Sequence, residues 1–177
     1  WRNPKTKKFF VDNMKFWMDE YHVDGFRLDA TEWINNGAVR SAIESLYSNG
    51  YANRYFLPEE YVYANRTSFV ASPAPISAWN DAYHWRMIDY LADPWKRPQD
   101  SLGAITYYSK DYAWVEDPTS PVDFWGNHDE GTLRAMGCGV GCSPQRIKPA
   151  AALLFTHLGI PLFLMGEEIY RYRGTQD

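Results

Sequence analysis

Apolar residues recur near the start of the chain at intervals of three and four. Phe10, Met14, Trp17 and Tyr21 mark a stripe, with Val11 and Met18 beside it, which is the spacing of an amphipathic helix. Asn3 is placed to cap that helix and Pro4 occupies the favoured first position. Lys5, Lys7 and Lys8 then fall on the solvent side, and His22 to Asp24 reads as a turn. The period next changes to two. In Gly25-Phe26-Arg27-Leu28-Asp29, Phe26 and Leu28 share one strand face and Arg27 and Asp29 the other. Val39 to Tyr47 predicts a second helix, closed by Asn49-Gly50.

Tyr55 to Glu59 reads as a second strand and Ile76 to Asn80 as a weaker third, followed by a helix from about Asp81 to Leu91. Residues 93–120, with scattered Tyr among Pro, Gly, Ser and Asp, read as a long loop. Val122 to Trp125 is a fourth strand, running into Gly126-Asn127-His128-Asp129. Ser143-Pro144 opens a helix to Leu158, ended by Gly159, and Ile160 to Met165 is a fifth strand before Gly166-Glu167-Glu168. Helix and strand alternate, which predicts an α/β fold with parallel strands. No linker divides the 177 residues into two domains.

Composition narrows the class. Hydrophobic residues make up 45% of the chain, enough for a buried core and against disorder. A formal charge of −4 without a basic stripe argues against a nucleic-acid partner. The longest apolar stretch, Ala150 to Met165, is broken by His157, Gly159 and Pro161, so no membrane span is expected. No secretory leader is visible at the start. Aromatic residues reach 17%; most would fill a core, and the remainder suit the flat faces of sugar rings. Cys138 and Cys142 leave a disulfide, half a metal site and two free thiols open; with no His or Cys cluster nearby, free thiols are expected first.

The strand ends carry the chemistry. Four of the five strand candidates end in Asp29, Glu59, His128-Asp129 or Glu167-Glu168, and the other in Asn80-Asp81. In parallel sheets and barrels, active sites lie at the carboxyl ends of the strands. Asp81 and Glu168 are expected to serve as helix caps; Asp29, between Leu28 and Ala30, is expected to be functional. Convergent carboxylates in an aromatic setting suit glycoside cleavage, in which a retaining enzyme needs two carboxyl groups about 5–5.5 Å apart. The nucleophile must stay ionised, and Arg27 on the same strand face favours that. The acid must hold its proton, and Glu59 follows apolar Phe56-Leu57-Pro58.

With those segments in hand, the chain resembles the α-amylase superfamily, glycoside hydrolase family 13. Asp24-Gly25-Phe26-Arg27-Leu28-Asp29-Ala30 is similar to its nucleophile strand, and Asn127-His128-Asp129 to its late motif. Glu59 fits the acid position, and Gly159-Ile160-Pro161-Leu162 to Glu168 is similar to its eighth strand. The resemblance implies strands four to eight of a TIM (β/α)8 barrel, with residues 1–177 as the later part of the catalytic barrel. A complete barrel takes roughly 250 residues, so a fragment of a longer enzyme is expected, with open edges that fold poorly alone. It implies Asp29 as nucleophile, Glu59 (or Glu60) as general acid/base and Asp129 as third carboxylate. Arg27, His128 and Trp33 would bind substrate, with no cofactor and no metal ligands. The substrate would be an α-glucan or maltooligosaccharide.

Trp79-Asn80-Asp81-Ala82-Tyr83-His84 and Met165-Gly166-Glu167-Glu168 are similar to maltooligosyltrehalose trehalohydrolases, with glycogen branching enzymes as the near alternative. A hydrolase is thus expected first, a glucanotransferase second, and a non-catalytic carbohydrate-binding protein third. The same relatives imply a cytoplasmic location.

Overall fold

The computed structural model describes residues 3–60, 69, 72–92, 121–138 and 143–172. The chain forms two compact units, Trp1–Trp79 and Asn80–Asp177, a division that the sequence does not announce with a linker.

In the first unit, α1 spans Pro4–Glu20. The Asn3 side chain accepts a hydrogen bond from the Lys5 amide at 2.9 Å, and Pro4 opens the first turn, as the sequence predicts. Strand β1 (Gly25–Leu28) pairs in parallel with β2 (Tyr55–Pro58), Gly25 opposite Tyr55 and Leu28 opposite Pro58. Gly25 is required there. A Cβ on it would lie 2.0 Å from the Tyr55 carbonyl oxygen, so only glycine lets the strands come together. Between them, α2 (Asn36–Ser48) starts three residues earlier than the apolar pattern indicates, because the Asn35 side chain accepts from the Ala38 amide at 3.0 Å. Met14, Met18, Leu28, Val39, Ile43, Leu46 and Phe56 form its core. The aromatic stripe of α1 is only half buried. Phe10 and Met14 face the core, whereas Trp17 and Tyr21 are exposed and meet each other at 4.6 Å with their rings tilted by 38°. Met18 takes the inward place that the stripe assigned to them.

The boundary between the units falls within β3 (Trp79–Asn80), which is shorter than the Ile76–Asn80 run because Ile76 bridges to Phe56 instead. Helix α3 (Asp81–Ala92) follows directly, capped by the Asn80 side chain accepting from the Tyr83 amide at 3.1 Å. Asp81 is therefore the first helical residue rather than the cap. Strand β4 (Val122–Phe124) lies between β3 and β5 (Ile160–Leu162) and pairs with β5 in parallel. The fifth strand ends at Leu162, short of the expected Met165. Helix α4 (Leu133–Gly137) is absent from the hydrophobic pattern; it is one and a half turns long and started by the Thr132 side chain. Helix α5 (Pro144–Thr156) stops two residues before Leu158, at His157. Tyr83, Met87, Leu91, Trp125, Leu133, Ile147 and Leu154 make the core of this unit.

Cys138 is disulfide-bonded, which corrects the expectation of a free thiol; a C-x3-C spacing by itself does not distinguish a bonded pair from two thiols. Cys142 and the 93–120 loop lie outside the described residues. Among the described residues, no helix is long and apolar enough to cross a membrane.

Candidate active site

The first cluster of functional side chains lies at the carboxyl ends of β1 and β2. Arg27 leaves β1 with one guanidinium nitrogen hydrogen-bonded to Asp29 Oδ1, while its Nη2 sits 2.8 Å from Glu59 Oε1. One planar fork thus touches both carboxylates, a geometry open to Arg and closed to Lys. Asp29 is presented outward, its side chain 78% exposed. The reason is local: Ala30 takes a left-handed conformation (φ 47°), which ends the strand at Leu28 and turns Asp29 out of the sheet. A non-glycine residue held there costs energy and is typical of functional turns.

Glu59 is 9% exposed. Its Oε2 accepts from the Ala30 amide at 2.6 Å, and its backbone carbonyl accepts from the Thr31 hydroxyl at 2.7 Å. It is buried as the sequence predicts, yet its carboxylate is more polar in setting than Phe56-Leu57-Pro58 indicate. The neighbouring Glu60 is buried more deeply, at 1% exposure. Trp33, for which the sequence leaves sugar stacking and core packing equally open, closes the short 3-10 turn Thr31–Trp33 and is 83% exposed, outside the core formed by the described residues. A hollow of about 240 Å³ includes Phe26, Arg27, Asp29 and Thr31 in its wall.

The second cluster follows β4. The Asn127 side-chain oxygen accepts from the amides of Asp129 and Glu130, both at 2.9 Å, an Asx turn. It presents His128 and Asp129 to solvent with their side chains 3.4 Å apart. Gly126 makes room behind the turn, since a Cβ there would lie 2.7 Å from Glu167 Oε1. Glu167 is buried, and its two oxygens accept from the amides of Leu133 and Leu164, each at 2.7 Å. Burial raises its pKa above the ordinary 4.5, against the lowering effect of those backbone bonds. Glu168, expected as a cap, instead accepts from the Gly166 amide at 2.7 Å. Sequence reading singled out neither Glu130 nor the support role of Glu167; their signal was adjacency to the motif and the Gly-x-Glu-type strand end. Among the described residues, no group of three or more acidic, His or Cys side chains is arranged to hold a metal ion.

The structure brings Arg27, Asp29 and Glu59 together in one unit and His128 and Asp129 together in the other.

No protein-family profile matches the chain. The 1,4-alpha-glucan branching enzyme GlgB of Bacillus caldolyticus is 42% identical over 198 residues, covering 96% of this chain and 28% of that enzyme. The malto-oligosyltrehalose trehalohydrolase of Saccharolobus solfataricus is 38% identical over 42 residues, 24% of this chain and 8% of that protein. Among solved structures, the alpha-amylase from Geobacillus thermoleovorans complexed with acarbose aligns with a TM-score of 0.82 at 23% identity, over 99% of this chain and 39% of that one. The parallel strands and their helices are accordingly a portion of a TIM (β/α)8 barrel. The chain spans 26% and 30% of the length of two of the branching enzymes that it matches.

Proposed function

The chain belongs to the α-amylase superfamily, and from that premise we propose that it supplies the catalytic groups of a retaining enzyme acting on α-glucans or maltooligosaccharides. Residues 1–177 would be the later part of a catalytic barrel in a longer enzyme. The observation that carries the chemistry is the Arg27 guanidinium shared by Asp29 and Glu59. The fork holds both carboxylates at the ends of adjacent strands and favours the ionised form that the nucleophile needs.

Asp29 attacks the anomeric carbon while Glu59 donates its proton to the departing glycosidic oxygen, leaving a glycosyl-aspartate ester. Glu59 then takes the proton from the incoming hydroxyl as that oxygen displaces Asp29, so two inversions give net retention. Asp129 and His128 would hold the sugar hydroxyls and stabilise the cationic transition state. Glu59 is preferred over Glu60 as the acid because its side chain meets the same guanidinium as Asp29, which places it beside the nucleophile.

Transfer to a sugar hydroxyl, as in glucan branching, is the leading reaction, because the likeness to a branching enzyme runs along 96% of the chain. Hydrolysis of a trehalohydrolase type is the second reading, supported by the 42-residue likeness. No cofactor is required by either route, and a cytoplasmic location goes with both. Product analysis of the complete protein on amylose and on maltooligosyl trehalose separates them. New branch points without new reducing ends support transfer; trehalose release sinks it in favour of hydrolysis.

A further inference from the structure

Asp129 and His128 stand on a turn in solvent, with side chains 62% and 56% exposed, so core packing does not set their direction. The turn does, through Asn127. An amide side chain can present either end to the backbone. In Asn127 the oxygen faces the Asp129 and Glu130 amides, and the nitrogen donates to Glu130 Oε2 at 3.1 Å. An ionised carboxylate only accepts, so Glu130 forces the nitrogen towards itself and the oxygen towards the backbone. Glu130 is fixed in turn by His84, whose Nε2 lies 2.8 Å from the same oxygen.

His84 is an unusual choice for its place. It is 1% exposed on α3, between core residues Tyr83 and Met87, and its ring stacks on Phe124 at 4.5 Å and 14°. An apolar residue would fill that space without the cost of burying two ring nitrogens. Neither ring nitrogen makes a hydrogen bond of full geometry among the described residues, and Nε2 meets Glu130 as an ion-pair contact at 2.8 Å, which is what the imidazole contributes. The lowered pKa of Glu130, caused first by its contact with His84, keeps that carboxylate in its accepting form.

We propose that His84 and Glu130 are positioning residues that act through Asn127 to orient Asp129 and His128 on the sugar. The proposal rests on the reading of Asp129 as the third carboxylate of the site.

The test uses the complete protein that carries this chain. Turnover of α-maltosyl fluoride by the unsubstituted protein, and its loss in Asp29→Ala, settles the underlying reading first. In Glu130→Ala and His84→Leu, kcat is expected to fall about tenfold to a hundredfold with KM within about threefold, the effect of a displaced catalytic group. His84→Gln, whose amide nitrogen reaches the place of Nε2, is expected to recover kcat to within about threefold of the unsubstituted value. Amide hydrogen exchange at Asp129 and Glu130, which needs no activity, is expected to accelerate at least about tenfold in the first two variants.

Exchange and kcat within about twofold of the unsubstituted protein in either variant would overturn the proposal. So would a His84→Gln variant as impaired as His84→Leu, since packing on Phe124 would then explain the residue. If Glu130→Ala does not fold, Glu130→Gln replaces it, with the same direction and a smaller effect expected. A protein inactive on the fluoride, yet with exchange accelerated as stated, rejects the glycosidase reading while leaving the turn's dependence on His84 and Glu130 standing.

Discussion

Arg27, Asp29 and Glu59 are assembled by charge: one guanidinium reaches two carboxylates at the ends of paired strands. His128 and Asp129 are assembled by backbone: an Asx turn sets them out, backed by half-buried Glu130 and by buried His84 and Glu167. The difference matters for robustness. An ion pair at a partly exposed position is screened and tolerates motion. A turn held by hydrogen bonds from three successive amides, those of Asp129, Glu130 and Gly131, has a narrower geometry and loosens when one partner is removed. On the proposed roles, the nucleophile and the acid would thus sit in a charge-built cluster that tolerates motion, and the groups proposed to hold the sugar would sit on a turn set by its backbone hydrogen bonds.

The largest expected effect falls on the charge-built cluster. Asp29→Ala and Glu59→Ala in the complete protein should each abolish turnover of maltooligosaccharides, whereas Glu60→Ala should not; activity retained in Asp29→Ala would remove the nucleophile assignment. Next comes Arg27→Lys, which keeps the charge and loses the fork. We expect kcat/KM to drop about a hundredfold with the fold intact, and a change below about threefold would show that the shared guanidinium is dispensable. On stability, Gly25→Ala should cost about 3 kcal/mol, the upper end of overpacking, because its Cβ would meet the Tyr55 backbone at 2.0 Å. Urea unfolding measures this, and an unchanged midpoint would contradict the strand register.

Smaller still is Trp33→Ala. At 83% exposure it should leave stability within about 0.5 kcal/mol and raise KM about threefold to tenfold if the ring stacks on sugar.

The smallest effect is in pH dependence, and its sign separates two carboxylates of the backbone-built cluster. Glu130 has a lowered pKa, so its contribution to stability is present above the ordinary 4.5 and fades as pH falls through the lowered value. Glu167 has a raised pKa, so its desolvation cost is absent below 4.5 and sets in as pH rises through the raised value. The stability gap between the unsubstituted protein and Glu130→Gln should therefore narrow on acidification from about pH 6 to about pH 3. The gap to Glu167→Gln should move the opposite way, and parallel trends would refute the assignment of causes.

Much of the fold was legible because the signals are local. Asn3-Pro4, the period-two run at Gly25 to Asp29 and the Asn49-Gly50 stop each act within a few residues, and each element appears where they put it. The departures have long-range causes. Trp17 and Tyr21 carry the right spacing, yet Met14 and Met18 won the core face. Ile76 left its strand to bridge Phe56. Helix α4 is too short to show a period, and its start depends on Thr132.

For the site, the sequence by itself determined which side chains end the strands: Arg27 and Asp29 on one face, Glu59 after an apolar run, His128 and Asp129 after another. Strand alternation and side-chain chemistry suffice for that, since both are properties of consecutive residues. Only the tertiary structure decided that Arg27 reaches Glu59 across the sheet, that Ala30 turns Asp29 outward, and that a buried histidine forty-six positions earlier in the chain braces Glu130. Those facts depend on strand register, on a strained backbone angle and on packing between distant segments, and no local pattern of residues encodes them.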